Sequence, residues 1–285
     1  MKTNKISIAA VLAFLSILIF ASLFSTAQAI TGNYTHDRGE HPYVCLVALY
    51  NENGEWLWRG SGALISPTVV LTAGHVTDGA VKATIWLDEK IAYDPQNPDP
   101  EGYPNYGKGN ATGTPYTHPL FGYYVDNNGL VGFITHDVGI VVLDKPIELE
   151  IYGQLPSQGL VDTLKVGTTV TFVGYGVQYQ VTPKIGGPYY AWRGERARFY
   201  ATAKLLSSNY AISSTFIKCS SNAAQGKGGT AFGDSGGPVL LEDTNIILAV
   251  TSFGANANCA GVGYYARIDT PDVLNWISNF LDHSS

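Results

Sequence analysis

The stretch GKGGTAFGDSGGPVLL, residues 226–241, places a serine within a glycine-rich segment. Its centre, Gly233-Asp234-Ser235-Gly236-Gly237, can form a turn that presents a reactive serine, or an ordinary surface loop. A serine hydroxyl is a poor nucleophile at neutral pH, so a reactive Ser235 needs a base within hydrogen-bond reach and a group that orients this base. Asp234 needs a partner as well if its carboxylate is buried. The rest of the chain must supply these groups.

Two other segments offer the base and the group that orients it. His75 lies in VVLTAGHV, directly after an apolar run, and the pKa of histidine lies near neutral pH, as a general base requires. Asp137 lies in THDVGIVVL, where it opens a second apolar run. These segments predict that a histidine and a carboxylate join Ser235 in one site.

Composition favours a turn-rich β protein. The chain of 285 residues is long enough for one large or two modest domains. It contains 32 glycines and 18 tyrosines but one methionine, which is more typical of β proteins than of helical bundles. The formal net charge is −6 and no basic cluster occurs, which argues against nucleic acid as a partner.

Residues 1–29 have the pattern of a signal peptide. Lys2 and Lys5 precede an apolar run, and Ala27-Gln28-Ala29 has the small-x-small pattern of a signal-peptidase site. The run is also about long enough to span a bilayer, so an uncleaved membrane anchor is the alternative. We expect cleavage, and hence a protein that is secreted, or exported to another compartment, without membrane attachment.

Short strand-like runs separated by turn signals fill most of the remaining sequence. This spacing, without helical periodicity between the runs, indicates barrels or a sandwich. Only the C-terminal end has a helical pattern, in which Thr270 can cap, Pro271 suits the first turn and an apolar stripe continues to Leu281. The segment over residues 148–166 is the best candidate for a connection between two domains.

The segments LTAGH, HDVGIVVL and GDSGGP resemble the three catalytic segments of the trypsin/chymotrypsin family of serine endopeptidases, in the order of that family. The resemblance extends from Ile30 to the C-terminal helix and is weakest over residues 94–132 and 178–194. It implies an all-β fold of two six-stranded antiparallel β-barrels with a C-terminal α-helix. Residues 30–150 would form the barrel that contributes the histidine and the aspartate, and residues 151–285 the barrel that contributes the serine.

The resemblance also implies a role for each residue of the site. His75 would act as general base and then as general acid, Asp137 would orient it, and Ser235 would be the nucleophile. The backbone N–H groups of Gly233 and Ser235 would form the oxyanion hole. Neither a cofactor nor a metal is implied.

A specificity pocket with small walls and a neutral floor follows from the same resemblance. The residues expected to bind substrate are Gly229, Thr230, Ser252, Phe253, Gly254 and Gly263. No carboxylate occurs over residues 227–231 or 252–265, so we do not expect a preference for Arg or Lys before the scissile bond. An open pocket of this kind favours apolar or aromatic side chains, and Lys227 leaves an acidic side chain as the alternative.

In the family, the aspartate before the serine pairs with an α-amino group created by cleavage. The usual start is Ile-Val-Gly-Gly, followed at twelve residues by Pro-Tyr or Pro-Trp. Here Ile30-Thr31-Gly32-Asn33 is followed at that distance by Pro42-Tyr43, and Ile30 comes directly after Ala29. We therefore expect removal of the signal peptide to expose the amino group that pairs with Asp234. Later trimming of a few residues is the alternative.

The chain contains three cysteines, Cys45, Cys219 and Cys259. They allow at most one internal disulfide, and no pair has the spacing of a zinc site. Gly60, Val76 and Ala231 stand where the family commonly has cysteines. Since Cys259 matches the customary partner of the residue at 231, the resemblance implies a disulfide between Cys259 and Cys219, with Cys45 as a buried thiol.

Three other interpretations compete with a protease. Gly233–Gly237 also fits the G-x-S-x-G turn of α/β-hydrolase esterases, but that fold needs a helix directly after the serine and a later acid and histidine. Here Gly-Gly-Pro follows the serine, and the only later histidine is His283, near the terminus. A catalytically silent protease homologue that acts as a binding module would usually lack a triad residue. A secreted adhesion or stress-binding β domain would make the three motifs a coincidence. We expect a secreted serine endopeptidase whose partners are protein or peptide substrates and protein inhibitors.

Overall fold

The structure is a computed structural model that describes residues 31–93, 107–124, 133–181, 191–206, 212–221, 228–254, 259 and 261–281. The expected signal peptide, Ile30 and Lys227 lie outside these residues. In the described ranges, no helix is long and apolar enough to cross a membrane.

Strands make up most of the described chain. Its first part contains β1 (Thr31–Gly32), β2 (Tyr34–His36), β3 (Val44–Tyr50), β4 (Trp56–Ser66), β5 (Val69–Thr72), β6 (Lys82–Trp86), β7 (Ala111–Thr117), β8 (Gly122–Tyr124), β9 (Phe133–Thr135) and β10 (Gly139–Leu143). Its second part contains β11 (Thr169–Gly174), β12 (Tyr179–Val181), β13 (Ala191–Arg193), β14 (Phe199–Leu205), β15 (Phe216–Ser221), β16 (Gly228–Gly229), β17 (Pro238–Leu241), β18 (Ile247–Gly254) and β19 (Gly261–Arg267). The helices are α1 (Gly74–Thr77), a 3₁₀ helix (Leu160–Thr163) and α2 (Pro271–Leu281).

The first barrel is closed by six antiparallel strands in the order β10-β5-β4-β3-β6-β7. Every residue of β3 is buried. This strand lies in a core that also contains Val173 and Leu240 of the second barrel and Ile277 of α2, so both of its faces are covered. The near-continuous apolar sequence of β3 is typical of a strand buried on both faces.

The second barrel is a ring of six antiparallel strands, β11-β17-β18-β19-β15-β14, which the pairing of β14 with β11 closes. It has a core of its own that includes Phe172, Leu248 and Tyr265. The short strand β2, which precedes the first barrel in sequence, pairs with β14 of the second. The structure therefore confirms the expected fold of two six-stranded antiparallel barrels with a C-terminal helix.

Arg198, next to β14, joins the two barrels through a buried ion pair. It is 1% exposed, and its Nε lies 3.1 Å from Oδ1 of Asp37. Its Nη1 donates to the carbonyl oxygens of Val44 at 3.1 Å and Leu87 at 3.0 Å, both in or next to strands of the first barrel. Burial would raise the pKa of Asp37, but the hydrogen bond from His41 and the charge of Arg198 lower it to about 2. Arg198 thus fixes the orientation of one barrel against the other.

We predict that Arg198→Met lowers the free energy of unfolding by about 3–5 kcal/mol, because it leaves the Asp37 carboxylate buried without its cation. Urea denaturation followed by fluorescence measures this change. Lys165→Met is the matched control, since Lys165 is exposed and its replacement should change stability by less than about 0.5 kcal/mol. A similar small loss for both variants would contradict the role of Arg198.

Candidate active site

His75 lies in α1, the single helical turn that follows β5. Its backbone N–H donates to Oδ1 of Asp137 at 2.7 Å, and its Nδ1 lies 2.8 Å from Oδ2 of the same carboxylate. A carboxylate acceptor at Nδ1 holds the proton of a neutral imidazole on that nitrogen and leaves the lone pair on Nε2. The His75 side chain is one-quarter exposed, so it can reach a ligand.

Asp137 is fully buried at the start of the segment that leads into β10. Besides the two hydrogen bonds from His75, its carboxylate accepts one from the Ser252 hydroxyl on β18. Burial would raise its pKa, but the charge of His75 and these hydrogen bonds outweigh burial and lower it. Asp137 is therefore ionised at neutral pH and held in place from both barrels.

The turn that carries Ser235 depends on glycines in the left-handed region. Gly233 has φ +97° and Gly236 has φ +79°, backbone conformations that residues other than glycine rarely adopt. A Cβ on Gly236 would overlap with Thr72 Oγ1 of the first barrel. The carbonyl oxygen of Ser235 accepts a hydrogen bond of 2.7 Å from the N–H of Ser61. The turn therefore packs directly against the first barrel.

Asp234 is 1% exposed. Its carboxylate accepts hydrogen bonds from the N–H groups of Gly176 at 2.7 Å and Ala231 at 2.8 Å. Burial raises its pKa to about 6, although these bonds and the charge of Arg59 act in the opposite direction. A Cβ on Gly176 would overlap with this carboxylate, which explains the glycine there.

The amino-terminal strand approaches the same region. Ile30 itself lies outside the described residues, but Thr31, the next residue, pairs with Gly229 across β1 and β16. Gly229 is five residues before Asp234 in sequence.

His75 and Ser235 together line two cavities, and Phe232 lines both as well. The first has a volume of about 560 Å³, and four of the six expected substrate-binding residues line it: Thr230, Ser252, Phe253 and Gly254. Gly229 and Gly263 are not among its lining residues. Gly229 pairs with Thr31, and a Cβ on Gly263 would overlap with the hydroxyl of Tyr265.

Five further residues, outside the three motif segments and the expected substrate-binding residues, line the first cavity: Ile134, Ala231, Phe232, Thr251 and Cys259. Phe232 is 54% exposed and also lines the second cavity, of about 540 Å³. The remaining residues of the second cavity come mainly from β4 and from loops of the second barrel, including Trp56, Trp58, Arg59, Val177 and Arg196. An exposed phenylalanine within a loop gives no sequence signal, so only the fold identifies its place.

All three cysteines are thiols, so the disulfide expected between Cys219 and Cys259 is not formed. Cys219 is fully buried in the core of the second barrel, whereas Cys259 lines the first cavity. The two side chains therefore belong to different environments. Burial raises the pKa of Cys259 to about 11. Cys45 is a buried thiol, as expected.

Packing joins β4 to α1 where the family commonly has a disulfide. A Cβ on Gly60 would lie 3.0 Å from Cγ2 of Val76, so the valine side chain fills the space beside this glycine. Trp58 Nε1 donates to the carbonyl oxygen of Val76 at 2.8 Å. Within the described part of the chain, no group of three or more His, Cys, Asp or Glu side chains could hold a metal ion.

Comparison with known proteins identifies the family of this chain. The model of the family described as Trypsin matches residues 30–277. The chain is 27% identical to "Serine protease 1" of Drosophila melanogaster over 253 residues, which cover 89% of this chain and 83% of that protein. It is 29% identical to "Brachyurin" of Leptuca pugilator over 229 residues, which cover 78% and 84% respectively.

Among solved structures, HL collagenase has a TM-score of 0.62 at 18% identity, over 89% of this chain and all of the other. This likeness shows the shared fold alone. The family match covers both barrels and all three motif segments. The chain therefore belongs to the trypsin family of serine proteases.

Proposed function

We propose that this chain is a secreted serine endopeptidase that cleaves peptide bonds through an acyl-enzyme formed on Ser235. The contact of His75 with the buried carboxylate of Asp137, beside the cavities that Ser235 lines, carries the proposal. The carboxylate orients the imidazole so that Nε2 is the nitrogen available to take a proton.

In the proposed reaction, His75 Nε2 takes the hydroxyl proton as Ser235 Oγ attacks the carbonyl carbon of the substrate. The N–H groups of Gly233 and Ser235 stabilise the oxyanion, a contribution of about 3 kcal/mol for a single donor. The imidazolium then gives its proton to the leaving amine, and the acyl-enzyme remains. A water molecule, activated by His75 in the same way, releases the second product and restores Ser235.

A catalytically silent binding module is the second candidate, and the residues present argue against it. The chain retains His75, Asp137 and Ser235, and the buried carboxylate is hydrogen-bonded to the histidine. A protein that no longer needed catalysis would have no reason to keep an ionised aspartate in a fully buried position.

We predict that a fluorophosphonate labels Ser235 in the mature wild-type protein, because an activated serine hydroxyl attacks phosphorus as it attacks a carbonyl carbon. Mass spectrometry of the labelled peptide identifies the site. Ser235→Ala should abolish labelling, and Asp137→Asn should reduce kcat by about 10⁴-fold. Ser278→Ala, a change on the exposed face of α2, is the control that should label fully. Equal labelling of wild type and Ser235→Ala would refute the proposal.

We also propose that an apolar or aromatic side chain before the scissile bond enters the first cavity. The described residues that line it include no Asp, Glu, Lys or Arg. Its volume of about 560 Å³ is large enough for an aromatic ring. Ser252, Phe253 and Gly254, which the resemblance assigns to substrate binding, line this cavity.

We predict that a peptide library gives cleavage mainly after Phe, Tyr, Leu or Met, because the cavity offers no charge to a basic or acidic side chain. Gly254→Val should reduce kcat/KM for Phe substrates at least tenfold, by narrowing the cavity. Asn53→Ala, a change in an exposed turn that does not line the cavity, is the control and should leave kcat/KM unchanged. Cleavage mainly after Arg or Lys would show that the cavity is wrongly assigned.

Maturation is the third part of the proposal. We propose that signal peptidase cuts after Ala29 and that the α-amino group of Ile30 pairs with Asp234. The pairing of Thr31 with Gly229 supports this, because it brings the start of the mature chain into the same part of the fold as Asp234. Burial raises the pKa of Asp234 to about 6, so a nearby cation would stabilise its ionised form.

We predict that the secreted protein begins at Ile30 by N-terminal sequencing. Activity should fall at alkaline pH, as the α-amino group loses its proton and the ion pair with Asp234 is lost. A mature chain with one extra glycine before Ile30 should lose at least tenfold in kcat, because its amino group is displaced from Asp234. A different natural start with full activity would contradict this assignment.

A further inference from the structure

Arg59 reaches from β4 of the first barrel to the turn that carries Ser235. Its Nη1 donates to the carbonyl oxygen of Tyr175, just beyond β11 of the second barrel, at 2.7 Å. Its guanidinium also lies against Gly233, where an added Cβ would overlap with it. One side chain therefore contacts both the residue expected to donate to the oxyanion and the segment next to Asp234.

The peptide unit between Tyr175 and Gly176 connects Arg59 to Asp234. Its carbonyl oxygen accepts from Arg59, and its N–H donates to Oδ1 of Asp234 at 2.7 Å. The cation therefore lies at the negative end of the peptide dipole and the carboxylate at the positive end. Both charges polarise the peptide group in the same direction, so each hydrogen bond strengthens the other.

Asp234 has few other charged neighbours in the described residues. The N–H groups of Ala231 and Gly176 and the charge of Arg59 lower its pKa, against burial, which raises it to about 6. Cys259 also interacts with Asp234, but its own pKa is raised to about 11, so it is neutral at physiological pH. Arg59 is thus the cation of the described chain that favours the ionised carboxylate.

We propose that Arg59 is a positioning residue, which holds the Tyr175–Gly176 peptide and the ionised side chain of Asp234 in place and thereby fixes the oxyanion-hole turn at Gly233. This inference rests on the proposed protease function and adds a second cation to the one expected from Ile30. The two cations are compatible, because a carboxylate has about four acceptor sites and N–H groups of the described residues occupy two of them.

The position of Arg59 also accounts for the glycine that it covers. Gly233 has φ +97°, which glycine adopts without steric cost, but glycine also loses more conformational freedom on folding than any other residue. The guanidinium lies over this Cα and restricts the turn from the outside. A flat, delocalised cation suits this place better than the point charge of a lysine.

The test compares three variants of the mature protein: Arg59→Met, Arg59→Gln and Arg59→Lys. Removal of an oxyanion donor costs about 10²- to 10³-fold in kcat. Arg59→Met displaces the donor without removing it, so kcat should fall about 10- to 100-fold, with KM changed less than about threefold. Protonation of the general base His75 contributes to the acidic limb of the kcat–pH profile in every variant. In Arg59→Met this limb should move to higher pH, since loss of the cation raises the pKa of Asp234 and protonates it at pH values where the wild type is ionised. Arg59→Lys should restore the acidic limb and part of kcat.

Arg59→Gln separates charge from hydrogen bonding and covers the case in which Arg59→Met does not fold. It keeps an N–H donor for Tyr175 but has no charge, so the acidic limb should move while thermal stability stays close to that of the wild type. Arg193→Met, a change of an exposed arginine on β13, is the matched control and should alter neither kcat nor the pH profile.

A readout that does not need activity distinguishes this inference from the proposed function. The carboxyl carbon of Asp234, followed by NMR in the Ser235→Ala background, should titrate at higher pH when Arg59→Gln is added. If wild type neither hydrolyses peptides nor reacts with a fluorophosphonate, the protease function fails, and the titration still tests the link from Arg59 to Asp234. An unchanged titration and an unchanged acidic limb would overturn the role of Arg59.

Discussion

The carboxylate of Asp137 is ionised in a position that water does not reach, and the arrangement of the cleft depends on how it is stabilised. Its hydrogen-bond donors come from His75 on the first barrel and Ser252 on the second. If the two barrels moved apart, this buried charge would lose a donor, which is costly in a low-dielectric interior. The charge that orients the imidazole therefore also holds the barrels in register.

Asp234 is a second buried carboxylate that groups of both barrels stabilise. It belongs to the second barrel, and Arg59 of the first supports it through the Tyr175–Gly176 peptide. Arg198 makes a third connection, with Asp37 and the carbonyl groups of the first barrel. Each of these connections places a charged group of one barrel against polar groups of the other. In a chain whose cysteines are all thiols, hydrogen bonds and packing carry the alignment of the cleft.

Local sequence patterns were enough to predict the strands and the C-terminal helix. Apolar runs between turn signals predicted the strands, and the helical stripe after Pro271 predicted α2. The motif order led to His75, Asp137 and Ser235, of which the first two are in direct contact and the third lines the same cavities. The disulfide was not predictable in this way, because a pairing of cysteines depends on where distant strands place their side chains.

The sequence alone determined that the chain is rich in strands, because strand periodicity is a property of neighbouring residues. Its three short motifs, through their resemblance to the trypsin/chymotrypsin family, gave the two-barrel fold and the residues of the proposed triad. Tertiary structure decided what surrounds them. Neither Arg59 nor Phe232 belongs to a motif, yet one contacts the turn at Gly233 and the other lines both cavities. Their roles come from contacts between residues more than a hundred positions apart in the chain, and hydrogen bonds over such separations exist only once both barrels have closed.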